Sequence, residues 1–122
     1  MEKIVRVDPT RFRFDILRDL SIDVVEHQPG LPKRIDGMTV GIITMEHDAP
    51  HGGEIHPDGD ELLYVISGRL SVSSDSDPDH PIELSAGEAC VVKKGEWHKV
   101  SILEKTTLIH MTPGPNGDHR PL

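Results

Sequence analysis

The sequence predicts an all-β sandwich or barrel, and three observations carry that prediction. From residue 21 onward the chain breaks into short runs of apolar and β-branched residues. Turn residues separate these runs at the spacing of a sandwich or barrel, with ten prolines and eleven glycines as punctuation. Helix signals are confined to residues 10–19, where Asp8-Pro9 offers a cap and a proline at the first helical position. A short helical or irregular N-terminal segment is therefore expected ahead of the strands.

In order, the strands are expected at residues 22–26, 38–45, 54–56, 61–67, 70–74, 82–84, 89–92, 98–103 and 106–112. Gly68-Arg69 between the fourth and fifth reads as a two-residue type II′ hairpin. Residues 75–81 (DSDPDHP) read as an exposed polar loop. Residues 113–122 (PGPNGDHRPL) show no periodicity and are expected to be an irregular tail. The whole, residues 1–122, is expected to be a single domain with its barrel core at about 21–112.

Composition narrows the function classes. A formal net charge of −8 speaks against nucleic acid or an anionic membrane as partner, and no basic run is longer than a pair such as Lys93-Lys94. Hydrophobic residues make up 35% of the chain, and no apolar run approaches the ~18 residues that cross a bilayer. With no signal-peptide pattern and a single cysteine, Cys90, a cytoplasmic protein without internal disulfides is expected. Cys90 sits among Ala89, Val91 and Val92 and reads as a small core residue.

The chemistry is concentrated in residues 51–68, HGGEIHPDGDELLYVISG, preceded by Asp48. Strand alternation puts Glu61, Leu63 and Val65 on one face and Leu62, Tyr64 and Ile66 on the other. Both faces are apolar, so both need covers; the barrel interior supplies one, and an N-terminal strand or a second copy of the chain supplies the other, with a homodimer expected. A buried, unpaired Glu61 would cost several kcal/mol, so it calls for a cation. Glu54 and His56 lie two residues apart on one face, and the Pro57-Asp58-Gly59-Asp60 turn brings them back to Glu61. Asp58 and Asp60 serve that turn. His98 shares an inward face with Val100 and Ile102. Imidazoles and carboxylates gathered from two hairpins into an apolar cavity are the setting of a divalent transition-metal site. His27, His47, His80 and His119 are expected in exposed loops, and His110 is expected to face outward.

The order of these residues resembles the cupin family of small β-barrels. The first motif of that family corresponds to Glu54-Ile55-His56, then Glu61 and Gly68; the second corresponds to Gly87, Gly95 and His98 in GEACVVKKGEWH. With flanking strands the likeness covers about two-thirds of the chain. It implies a double-stranded β-helix, or jelly roll, with His56, Glu61 and His98 as metal ligands. Three departures stand out: the first of the family's paired histidines aligns with Glu54, the proline of its second motif with Lys93, and its closing asparagine with Ile102. The further ligand is thus either Glu54 itself or His51, brought in by a bulge at Gly52-Gly53.

Such a site implies one divalent ion, Fe, Mn, Ni or Zn, and a small oxygen-bearing substrate. The expected activity is that of a dioxygenase, isomerase or lyase, with Glu54 or Glu61 as catalytic base. A binding module for a sugar or other small molecule, without catalysis, is the competing expectation. No Ser-His-Asp order, P-loop or dinucleotide fingerprint competes with either.

Overall fold

The computed structural model describes residues 2–30 and 33–122 and is all-β. Its strands are β1 (Phe12–Leu17), β2 (Ile22–Glu26), β3 (Gly37–Met45), β4 (Gly53–Ile55), β5 (Glu61–Ser74), β6 (Asp77–Ser85), β7 (Ala89–Val92), β8 (His98–Pro113) and β9 (Asp118–Arg120). All pairings are antiparallel. Among the described residues, no helix is long and apolar enough to cross a membrane.

The frame is a long ribbon of β5 against β8, running from Leu62 opposite Met111 to Ser74 opposite His98. Its first half continues sideways into β7 on one edge and β3, β1 and β2 on the other; its second half continues into β6 on one edge and β4 and β9 on the other. The ribbon bends where the two halves join, and the halves face one another across a single core of Leu63, Val65, Leu70, Val72, Leu84, Val92 and Leu108.

The bend corrects the hairpin expected at Gly68-Arg69. The chain does not reverse there; β5 runs on, with register shifts on either side of Ser67 and Arg69. Gly68 has φ +90°, and a Cβ on it would strike the Lys105 carbonyl and Thr106. The same glycine chemistry that closes a tight turn here absorbs a bulge. The bulge also changes parity: Glu61, Leu63 and Val65 are buried before it, and Leu70 and Val72 after it. Without that one-residue step the second half of β5 would turn its apolar side chains outward.

Three further expectations are corrected. Residues 10–19 are not helical: Asp8 accepts the Thr10 backbone N–H (3.0 Å) and hydroxyl (2.7 Å), which caps a turn, and the chain then enters β1. Phe12, Phe14 and Ile16 alternate with Arg13 and Asp15, a period of two that suits a strand. Residues 75–81 are a tight turn followed by the start of β6, an edge strand exposed nearly throughout, where Pro78 and Pro81 are tolerated. The tail is ordered too: β9 pairs with β4, and Arg120 binds Asp75 through both nitrogens (2.8 and 2.6 Å) while lying 4.8 Å from the Trp97 ring centre.

The outer side of the first half is a continuous apolar surface. Register aligns Ile22 and Val24 with Ile16 and Phe14, then Met38 and Val40, then Met111, Leu62 and Val91. Tyr64, Ile66, Val24 and Val91 on this side are exposed, as expected for Tyr64 and Ile66 from alternation.

Candidate metal centre

Folding the ribbon in half brings its ends together. Glu61 opens β5, and His98 opens β8 opposite the far end of β5; across the fold, His98 Nε2 lies 3.0 Å from Glu61 Oε1. Between them comes β4, with Glu54 directly opposite His98 in register. The turn after β4 carries His56, whose Nε2 lies 3.4 Å from Glu54 and 3.3 Å from Glu61. One ligating atom from each of Glu54, His56, Glu61 and His98 falls within 4.8 Å of every other. His56, Glu61 and His98 are buried, and Glu54 is partly open to a cavity.

His51 lies outside this group. Gly53 N–H donates to its Nδ1 (3.2 Å), which leaves the proton on Nε2, 3.9 Å from Glu54 Oε2. Gly53 has φ +139°, so the step that separates His51 from Glu54 depends on glycine. Asp58 and Asp60 are turn and latch residues: Asp58 accepts the Asn116 N–H (2.6 Å) and Asp60 that of Lys94 (2.7 Å). Asp48 holds the Ile102 N–H at 2.7 Å.

Hydrogen bonding fixes the tautomers. His98 Nδ1 donates to the Glu96 carbonyl at 3.0 Å, so in a neutral ring the Nε2 lone pair faces the Glu61 carboxylate. Two acceptors in that position repel unless a proton or a metal ion lies between them. Thr112 donates its hydroxyl to Glu61 Oε2 at 2.6 Å, and His110 Nδ1 in turn donates to Thr112 at 2.8 Å. This chain holds Glu61 from behind, as supporting hydrogen bonds hold ligands in metal sites. His56 has neither ring nitrogen hydrogen-bonded among the described residues, although both are buried. A buried imidazole with idle nitrogens, beside two carboxylates, fits a metal ion.

Electrostatics agree with this arrangement. Burial alone would lower the pKa of His98, but its hydrogen bond to Glu61 and the nearby Glu54 carboxylate outweigh it and push the imidazole up to about 10; His56, also lowered by burial, rises to about 9 because the negative Glu54 and Glu61 carboxylates lie 3.4 and 3.3 Å from its Nε2. Burial would raise both carboxyls, and the two histidines instead hold Glu54 and Glu61 well below the usual carboxylate range. His110 behaves in the opposite way: burial pushes it down to about 4, leaving it neutral.

A cavity of about 510 Å³ opens beside the cluster, lined by Glu54, Glu61, His51, His110 and Thr112 with Leu63, Leu108, Ile43 and Met45. Contrary to the outward placement expected of it, His110 faces this cavity, on the same parity as Leu108 and Thr112. That parity could have revealed it. Arg34 also lines the cavity, from the segment between β2 and β3, where no periodic pattern marks it. His47, His80 and His119 are exposed as expected, but His80 and His119 lie in β6 and β9 and not in loops, and His27 is half-buried against Pro9.

Fold and cluster together define a small β-barrel with a two-histidine, two-carboxylate centre at one mouth. A family model described as a cupin domain matches residues 41–111, and the chain belongs to that family. Among solved structures, it is similar to a cupin-2 domain protein from Shewanella frigidimarina (26% identity, TM-score 0.53, covering 66% of this chain and 74% of that one). A cupin superfamily protein from Desulfitobacterium hafniense shares the fold at 16% identity, with TM-score 0.55 and coverage of 67% and 72%. Oxalate decarboxylase from Bacillus subtilis, described by its Mn(II) centres, shares it at 19% identity and TM-score 0.56; the match covers 67% of this chain and 23% of that one. No curated protein sequence matches.

Proposed function

We propose that the protein is a metal-dependent enzyme that holds one divalent transition-metal ion through Glu54, His56, Glu61 and His98 and acts on a small oxygen-bearing organic molecule in the adjoining cavity. The reaction classes it suits are those of a dioxygenase, isomerase or lyase. The observation that carries this reading is the His98 ring, whose Nδ1 is committed to a carbonyl so that Nε2 meets Glu61 inside a buried group of four donors. Mn, Fe, Ni and Zn all accept such a mixed nitrogen and oxygen set; the likeness to a Mn(II) decarboxylase supports Mn as the first ion to load.

When bound, the ion would supply Lewis-acid polarisation of a substrate oxygen. The chain's own groups divide the remaining work. Glu61 is fixed by Thr112 and is the more buried carboxylate. Glu54 faces the cavity beside His51, which places it to take a proton from a bound molecule and pass it on. The apolar walls exclude water from the reacting end. A second copy of the chain, seated on the apolar outer face of the first half, would complete a homodimer; sedimentation at micromolar concentration should give a dimer, and a monomer would contradict it.

Metal analysis after chelator dialysis and reloading tests the assignment. His98→Ala and Glu61→Ala should each abolish stoichiometric uptake. Glu54→Ala should do the same, and His51→Ala should keep the ion while slowing turnover. Full metal content in His98→Ala would remove the site altogether. Oxygen consumption and product analysis across diketones, phenolic acids and uronates then separate an enzyme from a binding module.

A further inference from the structure

Arg34 is a cation that the metal cluster does not use. Its side chain runs past two glycines of the C-terminal segment: a Cβ on Gly114 would come within 3.0 Å of Arg34 Cβ, and one on Gly117 within 3.9 Å of Arg34 Cγ. The stem is therefore seated, and the guanidinium lies in the wall shared by the main cavity and a smaller one of about 200 Å³. Nη1 is buried with no hydrogen-bond partner among the described residues. Burial lowers its pKa while the charges of Glu54 and Glu61 oppose the shift, so both carboxylates feel the guanidinium without satisfying Nη1. A buried donor without an acceptor is costly, and a guanidinium presents a planar fork that matches a carboxylate.

We propose that Arg34 recognises the substrate's charge, and that the substrate is a small organic carboxylate whose anionic end pairs with Arg34 while its hydrocarbon body lies against Ile43, Met45, Leu63 and Leu108. This deepens the metal-enzyme reading and rests on it for the opposite wall of the cavity. Charge balance points the same way. Glu54 and Glu61 contribute two negative charges, a divalent ion would cancel them, and Arg34 and Lys99 then leave the lining positive, which favours an anion. His110, neutral and bonded to Thr112, adds none. Apart from Arg34 and Lys99 the walls are largely apolar, and the planar guanidinium fork matches the two oxygens of a carboxylate.

Calorimetric titration of the metal-loaded protein with hexanoate and benzoate, each compared with its amide, reads the proposal without any substitution. The acids should bind roughly 10- to 100-fold more tightly than the amides. Because an ion could itself attract a carboxylate, the comparison is repeated on chelator-stripped protein, where a preference that persists belongs to the cavity's own cations, Arg34 or Lys99. Arg34→Gln should erase that preference, and Arg34→Lys should keep part of it, a point charge replacing a fork. Metal content is measured on the same samples and should be unchanged in both variants. Equal affinity for acid and amide, no acid binding up to about 10 mM, or an undiminished preference in folded Arg34→Gln overturns the proposal. If Arg34→Gln does not fold, loss of the preference on stripping the wild-type protein overturns it instead. An Arg34-dependent preference in protein that takes up no metal overturns the metal reading alone; full metal content without the preference overturns this proposal alone.

Discussion

Around Gly68 the β5–β8 ribbon presents only hydrocarbon and a hydroxyl to the interior: Val65, Leu70 and Thr106 have no exposed surface, and Thr106 donates its hydroxyl to backbone carbonyls. At the ribbon's two ends, the interior instead receives Glu61 and His98, both charged when no metal is bound. Fully extended, the 14 residues of β5 would hold the two ends about 45 Å apart. The bend makes them neighbours at 3.0 Å. The apolar corner thus contributes stability and supplies the geometry of a site that contains none of its residues, while the ends bear the desolvation cost of buried charge and supply the chemistry.

The largest effect that would break this contrast comes from the corner. Gly68→Ala places a Cβ against the Lys105 carbonyl at a positive φ, so denaturant unfolding should show a loss of at least about 3 kcal/mol. Stoichiometric metal uptake should fail with it, because the ends no longer meet. Uptake at full stoichiometry in that variant would mean that the corner does not set the site.

The second effect belongs to the ends and is read by pH. In the metal-free protein, His56 and His98 have raised pKa values of about 9 and about 10. Their contribution to stability is fully present below the unfolded value of about 6.5 and is lost as pH rises through 9 to 10. Thermal unfolding of metal-free protein should therefore fall to lower temperature between pH 6.5 and 10. The metal-loaded protein, whose histidines must already be neutral, should not follow this trend. Metal uptake should release about two protons, so its apparent affinity should rise by roughly a hundredfold per pH unit below 9. His110 works in reverse: its pKa is depressed to about 4, and its contribution is lost as pH falls from about 6.5 toward 4.

The smallest effect sharpens the contrast. Thr112→Val keeps the shape of the wall and removes the hydroxyl that Glu61 accepts at 2.6 Å. Stability should drop by about 1–2 kcal/mol, and metal affinity by about tenfold. An unchanged affinity would show that Glu61 is held by its imidazole neighbours alone.

Much of this was legible in the chain because a strand with one buried face advertises itself by alternation. β2 and β7 fall where the sequence places them, and the inward set Glu61, Leu63 and Val65 follows from parity. His98 could be placed for the same reason. What escaped depends on partners distant in sequence. Asp8-Pro9 carries a local cap signal that serves a turn as well as a helix, and only the pairing of β1 with β3 decides between them. Gly68 carries a turn signal that a bulge satisfies equally, and only the shared partner β8 settles it. Arg34 has no pattern at all, since its place comes from the cavity wall and not from any strand.

One strand also dictates how the chain can reach this state. β8 pairs with β3, β4 and β5, joining Met38 to Pro113, Glu54 to His98 and Leu62 to Met111. Each contact closes a loop of many tens of residues before it gains anything, so the search for the native topology is dominated by chain entropy. Refolding should take milliseconds to seconds, the range of sandwiches with distant pairings. Glu54, His56 and Glu61 are close in sequence, but β4 pairs with β8 and β9 and not with β5, so the local hairpin expected to gather them does not form; they wait for β8 to deliver His98, which makes closure of the barrel and completion of the four-residue cluster one kinetic event.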